Sequence, residues 1–356
     1  MEQTANRISA KDFINKVLAG VALGIVVGLI PNAILGELFK ALIPYHPIFA
    51  TLNSVVVGIQ FTVPVLVGVL IGMQFKLNPI QTVIVGTAAF VGSGAAVFKE
   101  NAWVLTGIGD LINTMITASI AVLLILWIKD RLGSLTIILL PIIAGGIAGF
   151  LGIILLPYVK LITSSLGQLI NSFTTLQPMV MCILIAISFS ILIVSPISTV
   201  AIAMAIGISG LASGAANLGV AAAACMLVVG TMRVNKAGVP IAVFLGAMKM
   251  MMPNLLKYPI IALPIALTAT VTGIVGSLIG IQGTKESAGF GFSGLVGPIN
   301  AFKFMEGNAM MNLLLLILVY FVVPFVSAFI FHYLFTKVFK LYDPEVFKFQ
   351  TESEGK

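Results

Sequence analysis

Charge is the scarcest ingredient of this 356-residue chain: Asp, Glu, Lys and Arg together make up 9% of it, where an ordinary soluble domain has about 25%. From Leu161 to Met232 none of the four occurs at all. That deficit excludes a soluble fold. Cysteine is also nearly absent. Cys182 and Cys225 both sit in apolar runs, which argues against a disulfide framework or a thiolate metal site and reads as two buried, inert thiols. There is no Walker A loop, no zinc motif and no nucleophile elbow, so neither ATP hydrolysis nor a cofactor or metal is expected of the chain itself. Strands alternating polar and apolar residues, the mark of a membrane barrel, are missing too: Ile120 to Ile128 is apolar at every position but its neighbours offer no alternation. No cleavable signal peptide is read, because Arg7, Lys11, Asp12 and Lys16 crowd the start and no small-residue cleavage site follows the first apolar run. The first span is expected to stay in the mature protein.

What the chain has instead is apolar sequence, 59% of all residues. Only helices satisfy their own backbone in lipid along such runs. The fold class is therefore an all-α integral membrane protein, a polytopic helical bundle of about nine to eleven membrane segments, each needing roughly 20 apolar residues to cross. Spans are expected near residues 17–34, 54–74, 79–98, 109–128 and 134–157. The second half is less cleanly divided, into 178–194, 196–214, 217–232, 239–252, 258–280 and 310–336, where the shorter stretches read as spanning or re-entrant.

The basic residues, although they give a net charge of +7, lie singly or in small groups beside apolar spans. They fit positive-inside topology signals rather than a nucleic-acid surface. Arg7, Lys11 and Lys16 before the first span, and Lys337, Lys340 and Lys348 after the last, place both termini in the cytoplasm. Lys76, Lys129 and Arg131 fall on the same side. The chain then divides into a cytoplasmic segment 1–12, a membrane domain 13–340 and a polar tail 341–356, read as disordered from Asp343 onward.

A weak internal duplication runs through the membrane domain, over about 14–128 and 139–235. Asn78-Pro79-Ile80-Gln81-Thr82-Val83 is echoed by Ser195-Pro196-Ile197-Ser198-Thr199-Val200, and Ser93-Gly94-Ala95-Ala96 by Ser213-Gly214-Ala215-Ala216. Chance similarity between Gly-rich apolar helices is the competing explanation. If the duplication is real, Pro79 and Pro196 begin corresponding helices. Ala33 to Leu42 and Val159 to Phe173 are weakly amphipathic and read either as interfacial helices or as loops outside the membrane.

An ionisable group inside an apolar run is costly and marks a candidate site. Asp110 is one such group, with Asn113, Thr114 and Thr117 on its helical face; it reads equally as the N-cap of a helix beginning at Leu111. The other feature is the run Gly280 to Pro298, with glycine at 280, 283, 289, 291, 294 and 297. Such irregular backbone is tolerated at membrane depth only when buried in protein or lining a watery cavity. Thr284, Glu286 and Ser293 would meet solute hydroxyls there, and Phe290 and Phe292 suggest a packed hairpin; the bland alternative is a flexible loop. Arg233, Lys236, Lys249 and Lys257 read as interfacial cations or as partners of an anionic group. Met248 and Met250 to Met252 read as packing, and His46 and His332 as structural.

Gly283-Thr284-Lys285-Glu286, followed by Ser287-Ala288-Gly289-Phe290-Gly291-Phe292-Ser293-Gly294, with the earlier Gly109-Asp110-Leu111-Ile112-Asn113-Thr114, resembles the EIIC-like membrane proteins of the bacterial sugar phosphotransferase system, nearest the branch that includes the perfringolysin O regulator. The resemblance runs through residues 12 to 340. It implies a permease subunit of the bacterial cytoplasmic membrane, commonly a homodimer. Such a subunit binds a sugar and hands it to a cytoplasmic partner that phosphorylates it from a phosphohistidine or phosphocysteine. In that family the glutamate of Gly-x-x-Glu binds sugar hydroxyls, and Glu286 is the residue here that matches. The chain departs from the pattern in two ways. No phosphorylatable EIIA or EIIB domain is fused, so those proteins would be separate partners, and no phosphotransfer residue is identified in the chain itself. The family's sugar-site histidine matches neither His46 nor His332. A membrane sensor or a non-sugar secondary transporter on the same fold is the alternative expectation.

Overall fold

The computed structural model describes residues 9–129, 131–285 and 287–349. Helices dominate, because only they close every backbone hydrogen bond within one apolar segment. The chain forms two compact units, one from the N-terminal residues up to Gly28 together with Gln60–Val159, the other from Leu29–Ile59 and Lys160–Gln350.

Helix α1 (Ala10–Leu42) is one continuous helix through Pro31, its residues up to Gly28 counted in the first unit and the rest in the second; α2 (Ile48–Phe61) falls almost wholly in the second unit and α3 (Val63–Gln74) in the first. Gly20 and Gly24 of α1 let its backbone reach α3: a methyl on either would come within 2.6–2.7 Å of the Ile71 or Val67 backbone. This is the close small-residue packing that holds membrane helices together. Helix α4 (Pro79–Ser93) starts on a capping box, with Asn78 and Gln81 each bonding the other's backbone N–H, and ends at Gly94 in the left-handed region. Strands β1 (Ala96–Lys99) and β2 (Ala102–Leu105) then form an antiparallel hairpin pairing Phe98 with Trp103. Helix α5 (Leu111–Ile128) packs on α3 and α4. Short α6 (Thr136–Leu140) passes through a widened turn at Pro141–Gly146 into α7 (Ile147–Phe173), whose residues from Lys160 onward are counted in the second unit.

In the second unit, α8 (Pro178–Val194) and short α9 (Thr199–Ile206) precede α10 (Gly210–Thr231), which is buried along almost its whole length. Ala, Gly and Ser on every face of α10 let its neighbours close in. Gly219 sits so near the Ala186 carbonyl of α8 that no Cβ fits. After α10 come three short pieces, α11 (Gly238–Phe244), a turn at Met248–Met251 and α12 (Met252–Lys257). Then follow α13 (Ala262–Ile279), α14 (Val296–Phe302), α15 (Ala309–Ile317) and α16 (Val323–Tyr333).

Among the described residues six helices are long and apolar enough to cross a membrane; the α2–α3 pair, bent by 45°, and the shorter apolar α4 and α8 bring the apolar segments to nine. That is the low end of the expected range, and the difference lies mainly in 196–252. The expected spans 196–214 and 217–232 are short α9 plus the single helix α10, because Gly207 (φ +63°) and Gly210 (φ +58°) break the chain before it. The stretches Ala33 to Leu42 and Val159 to Phe173 are neither separate helices nor loops but the ends of α1 and α7. Pro157 forfeits one hydrogen bond without ending its helix.

The echoed segments take different places. Pro79 opens α4, whereas Pro196 lies in the turn after α8 and α9 is capped two residues later by Ser198; Ser93 and Gly94 end α4, whereas Ser213 and Gly214 lie inside α10. The tail is ordered rather than disordered at its start. Phe347 is fully buried, Asn235 Nδ2 donates to the Phe347 carbonyl (2.9 Å) and Asn254 Nδ2 to those of Val346 and Lys348 (2.8 and 2.9 Å).

Candidate functional site: a glycine-rich hairpin on a buried helix

The glycine-rich run leaves α13 at Gly280 (φ +76°), where the left-handed backbone stops the helix, and folds back on α10. The contact is close. Gly210 and Gly283 exchange backbone bonds of 2.9 and 3.0 Å, and at Gly214 the Ile281 carbonyl occupies the space of a side chain. Ser213 and Asn217, one turn apart on α10, supply the polar contacts. Ser213 Oγ donates to the Thr284 carbonyl (2.7 Å), Asn217 Oδ1 accepts from Gly291 N–H (3.2 Å), and Asn217 Nδ2 reaches Ser287 Oγ (3.4 Å). Asn300 of α14 adds a further clamp, its Oδ1 accepting from Thr284 N–H (3.0 Å) and facing Ser287 Oγ at 3.0 Å. Phe292 is buried, 5.0 Å from the ring centroids of both Phe244 and Phe321. The run is thus a packed hairpin, with backbone groups of Gly283, Thr284 and Gly291 bonded by residues of α10 and α14.

This arrangement sorts the residues singled out from sequence. Thr284 is anchored through its backbone N–H and C=O, its half-buried side chain making none of those bonds. Ser293 stands half-buried on the turn Ser293–Leu295, its N–H on the Phe290 carbonyl (3.1 Å). Glu286 lies outside the described residues, between the anchored Thr284 and Ser287. Lys285 is exposed and Ser287 buried. Ser213, Asn217, Ser287 and Asn300 were not singled out, yet they fix the hairpin. The available signal was the Ser213/Asn217 pair at i and i+4 on an otherwise apolar helix, two polar side chains on one face.

Asp110 and Asn113 belong to the first unit. Asp110 is the N-cap of α5, its Oδ1 accepting from Asn113 N–H at 2.9 Å. Fully buried Asn113 donates from Nδ2 to the Gly92 and Gly152 carbonyls, tying α4 and α7 to α5. Its Oδ1 is buried and has no partner among the described residues. Thr114 and Thr117, the other two residues expected on this face, turn their hydroxyls back to the Asp110 and Asn113 carbonyls at 2.7 and 2.8 Å. The polar face of α5 is therefore largely spent on helix packing.

Of the four cations considered, Arg233, Lys236 and Lys257 are exposed, whereas Lys249 is buried and donates to the Ser195 and Ile197 carbonyls at 2.7 and 2.6 Å. Met248 and Met250 to Met252 are buried around it, as packing residues are. His332 is buried in α16, with Nδ1 3.4 Å from Tyr342 Oη.

A family model described as phosphotransferase system, EIIC, matches residues 15–349, from α1 to the docked tail. The chain belongs to this EIIC family. No curated protein and no solved structure matches it. As an EIIC protein it is a multi-pass membrane protein of the sugar-permease type, and the family as a whole implies a sugar substrate and EIIA and EIIB partners. The glycine-rich hairpin, the most distinctive part of this EIIC chain's sequence, packs against the buried helix α10.

Proposed function

We propose that this EIIC chain binds a sugar at the glycine-rich hairpin, moves it across the cytoplasmic membrane of a bacterial cell, and presents it to separate EIIA and EIIB proteins for phosphorylation. The observation that carries the reading is the clamping of Thr284 and Ser287 by Ser213, Asn217 and Asn300. It fixes both sides of Glu286 in a region of irregular backbone next to a fully buried helix. Preorganised polar groups of this kind orient a ligand without paying ordering entropy on binding.

A carboxylate at Glu286 would accept bonds from several sugar hydroxyls, with the Thr284 and Ser293 hydroxyls completing the recognition. In the phosphoryl transfer the sugar hydroxyl oxygen bonds to phosphorus as the P–N or P–S bond to the EIIB protein's histidine or cysteine breaks, the hydroxyl proton passes to the released imidazole or thiolate, and the EIIC subunit contributes position. Both termini face the cytoplasm in this reading, where the partners are, and the working unit is a homodimer.

The test is equilibrium binding of a panel of radiolabelled sugars to purified wild-type, Glu286→Gln and Asp110→Asn protein. One hydrogen bond to a charged group contributes roughly 1.5–3 kcal/mol, so Glu286→Gln should weaken binding by about 10-fold to 150-fold. Asp110→Asn should leave it unchanged. Unchanged affinity in Glu286→Gln, with loss in Asp110→Asn, would move the site to the start of α5.

A further inference from the structure

Lys249 is the only lysine or arginine buried among the described residues, and no carboxylate among them pairs with it. A buried ammonium without a counter-charge is costly, so its position calls for a reason. Its two bonds go to one place, the connection between α8 and α9. Ser195 is the C-cap of α8, where unsatisfied carbonyls carry partial negative charge, and Ile197 precedes Ser198, whose side chain caps α9 at Ala201 N–H (3.2 Å). The first residue of α9 is Thr199. Its Oγ1 donates to the Gly289 carbonyl of the hairpin at 3.0 Å, and Gly289 (φ +91°) is pressed so close that a methyl there would come within 2.9–3.0 Å of Thr199. Phe244, on the segment that bears Lys249, packs on Phe292 of the hairpin.

We infer that Lys249 is a positioning residue for the glycine-rich hairpin: by holding the Ser195 and Ile197 carbonyls it fixes Thr199, and Thr199 fixes Gly289. The helix break after α8 is the intermediary, so the ammonium acts on the hairpin without touching it. Its consequence for the solute rests on the reading of the hairpin as the sugar site; its consequence for the hairpin does not.

Hydrogen–deuterium exchange on the full-length protein in nanodiscs separates the two. Lys249→Met should speed amide exchange both at 195–201 and in the hairpin around 287–292, by about 10-fold or more for loss of a bond from a charged donor, while α4 and α5 exchange as in wild type. Thr199→Val should speed the hairpin alone, by about 2-fold to 10-fold for one neutral hydrogen bond. Lys249→Arg should keep the hairpin at the wild-type rate. The inference is overturned if the hairpin of Lys249→Met exchanges as in wild type or, should that variant fail to fold, if the hairpin of Thr199→Val does. Sugar titration of the same samples tests the other reading independently: unchanged affinity in a variant whose hairpin exchanges faster would remove the solute from the hairpin and leave Lys249 in its role.

Discussion

At the scale of single residues, the sequence offers two carboxylates for the proposed sugar site, Glu286 and Asp110, without saying which serves it. Asp110 is committed to capping α5. Asn caps a helix about as well as Asp, and Ala costs about 1 kcal/mol. Asp110→Asn should therefore melt with wild type in detergent, while Asp110→Ala should be destabilised by about that amount, with sugar affinity the same in both. Both readings of Asp110 were open in the sequence, because Gly109-Asp110-Leu111 serves a cap or a site equally well; the structure shows the cap, in the 2.9 Å bond from Asn113 N–H. Lys249 was less legible. Nothing local distinguishes it from Lys257, since its burial comes from the packing of a segment that breaks into three short pieces.

At the scale of elements, periodicity found the long helices and missed what glycine does between them. α5 and α13 start and stop within a few residues of expectation because their apolar runs end at Asp110 and Gly280. α10 was divided in two, since a helix buried on every side has no polar stripe to mark its course. Its small residues are what bring the hairpin close. Gly214→Ala would drive a methyl into the Ile281 carbonyl, so it should cost about 1–3 kcal/mol and loosen the hairpin. Gly58→Ala in α2, where nothing lies within 4 Å, should be neutral or stabilising by up to about 1 kcal/mol. Thermal melts of the two variants check this. The tail was misread for a related reason: Phe347 lies in a largely polar stretch, and the pocket that buries it is made by distant residues, including Gly230, whose missing side chain leaves room for the ring. Phe347→Ala should cost about 3–5 kcal/mol, measured as a lowered melting midpoint.

At the scale of the whole molecule, the strongest signals in the sequence were global ones: the shortage of charge, the length of the apolar runs and the placement of the basic residues. Reporter fusions at Lys129 and Lys356 should both report the cytoplasm; an external signal at either would break the proposed orientation. The central claim is that this EIIC chain passes a sugar to separate phosphotransfer proteins, and it is tested most directly by uptake into proteoliposomes supplied internally with or without EIIA, EIIB and their phosphoryl donor. At least one sugar should accumulate inside as its phosphate ester only when those proteins are present, and Glu286→Gln should abolish or severely slow that accumulation. Uptake of an unmodified solute that is indifferent to the phosphotransfer proteins and to Glu286→Gln would contradict the account.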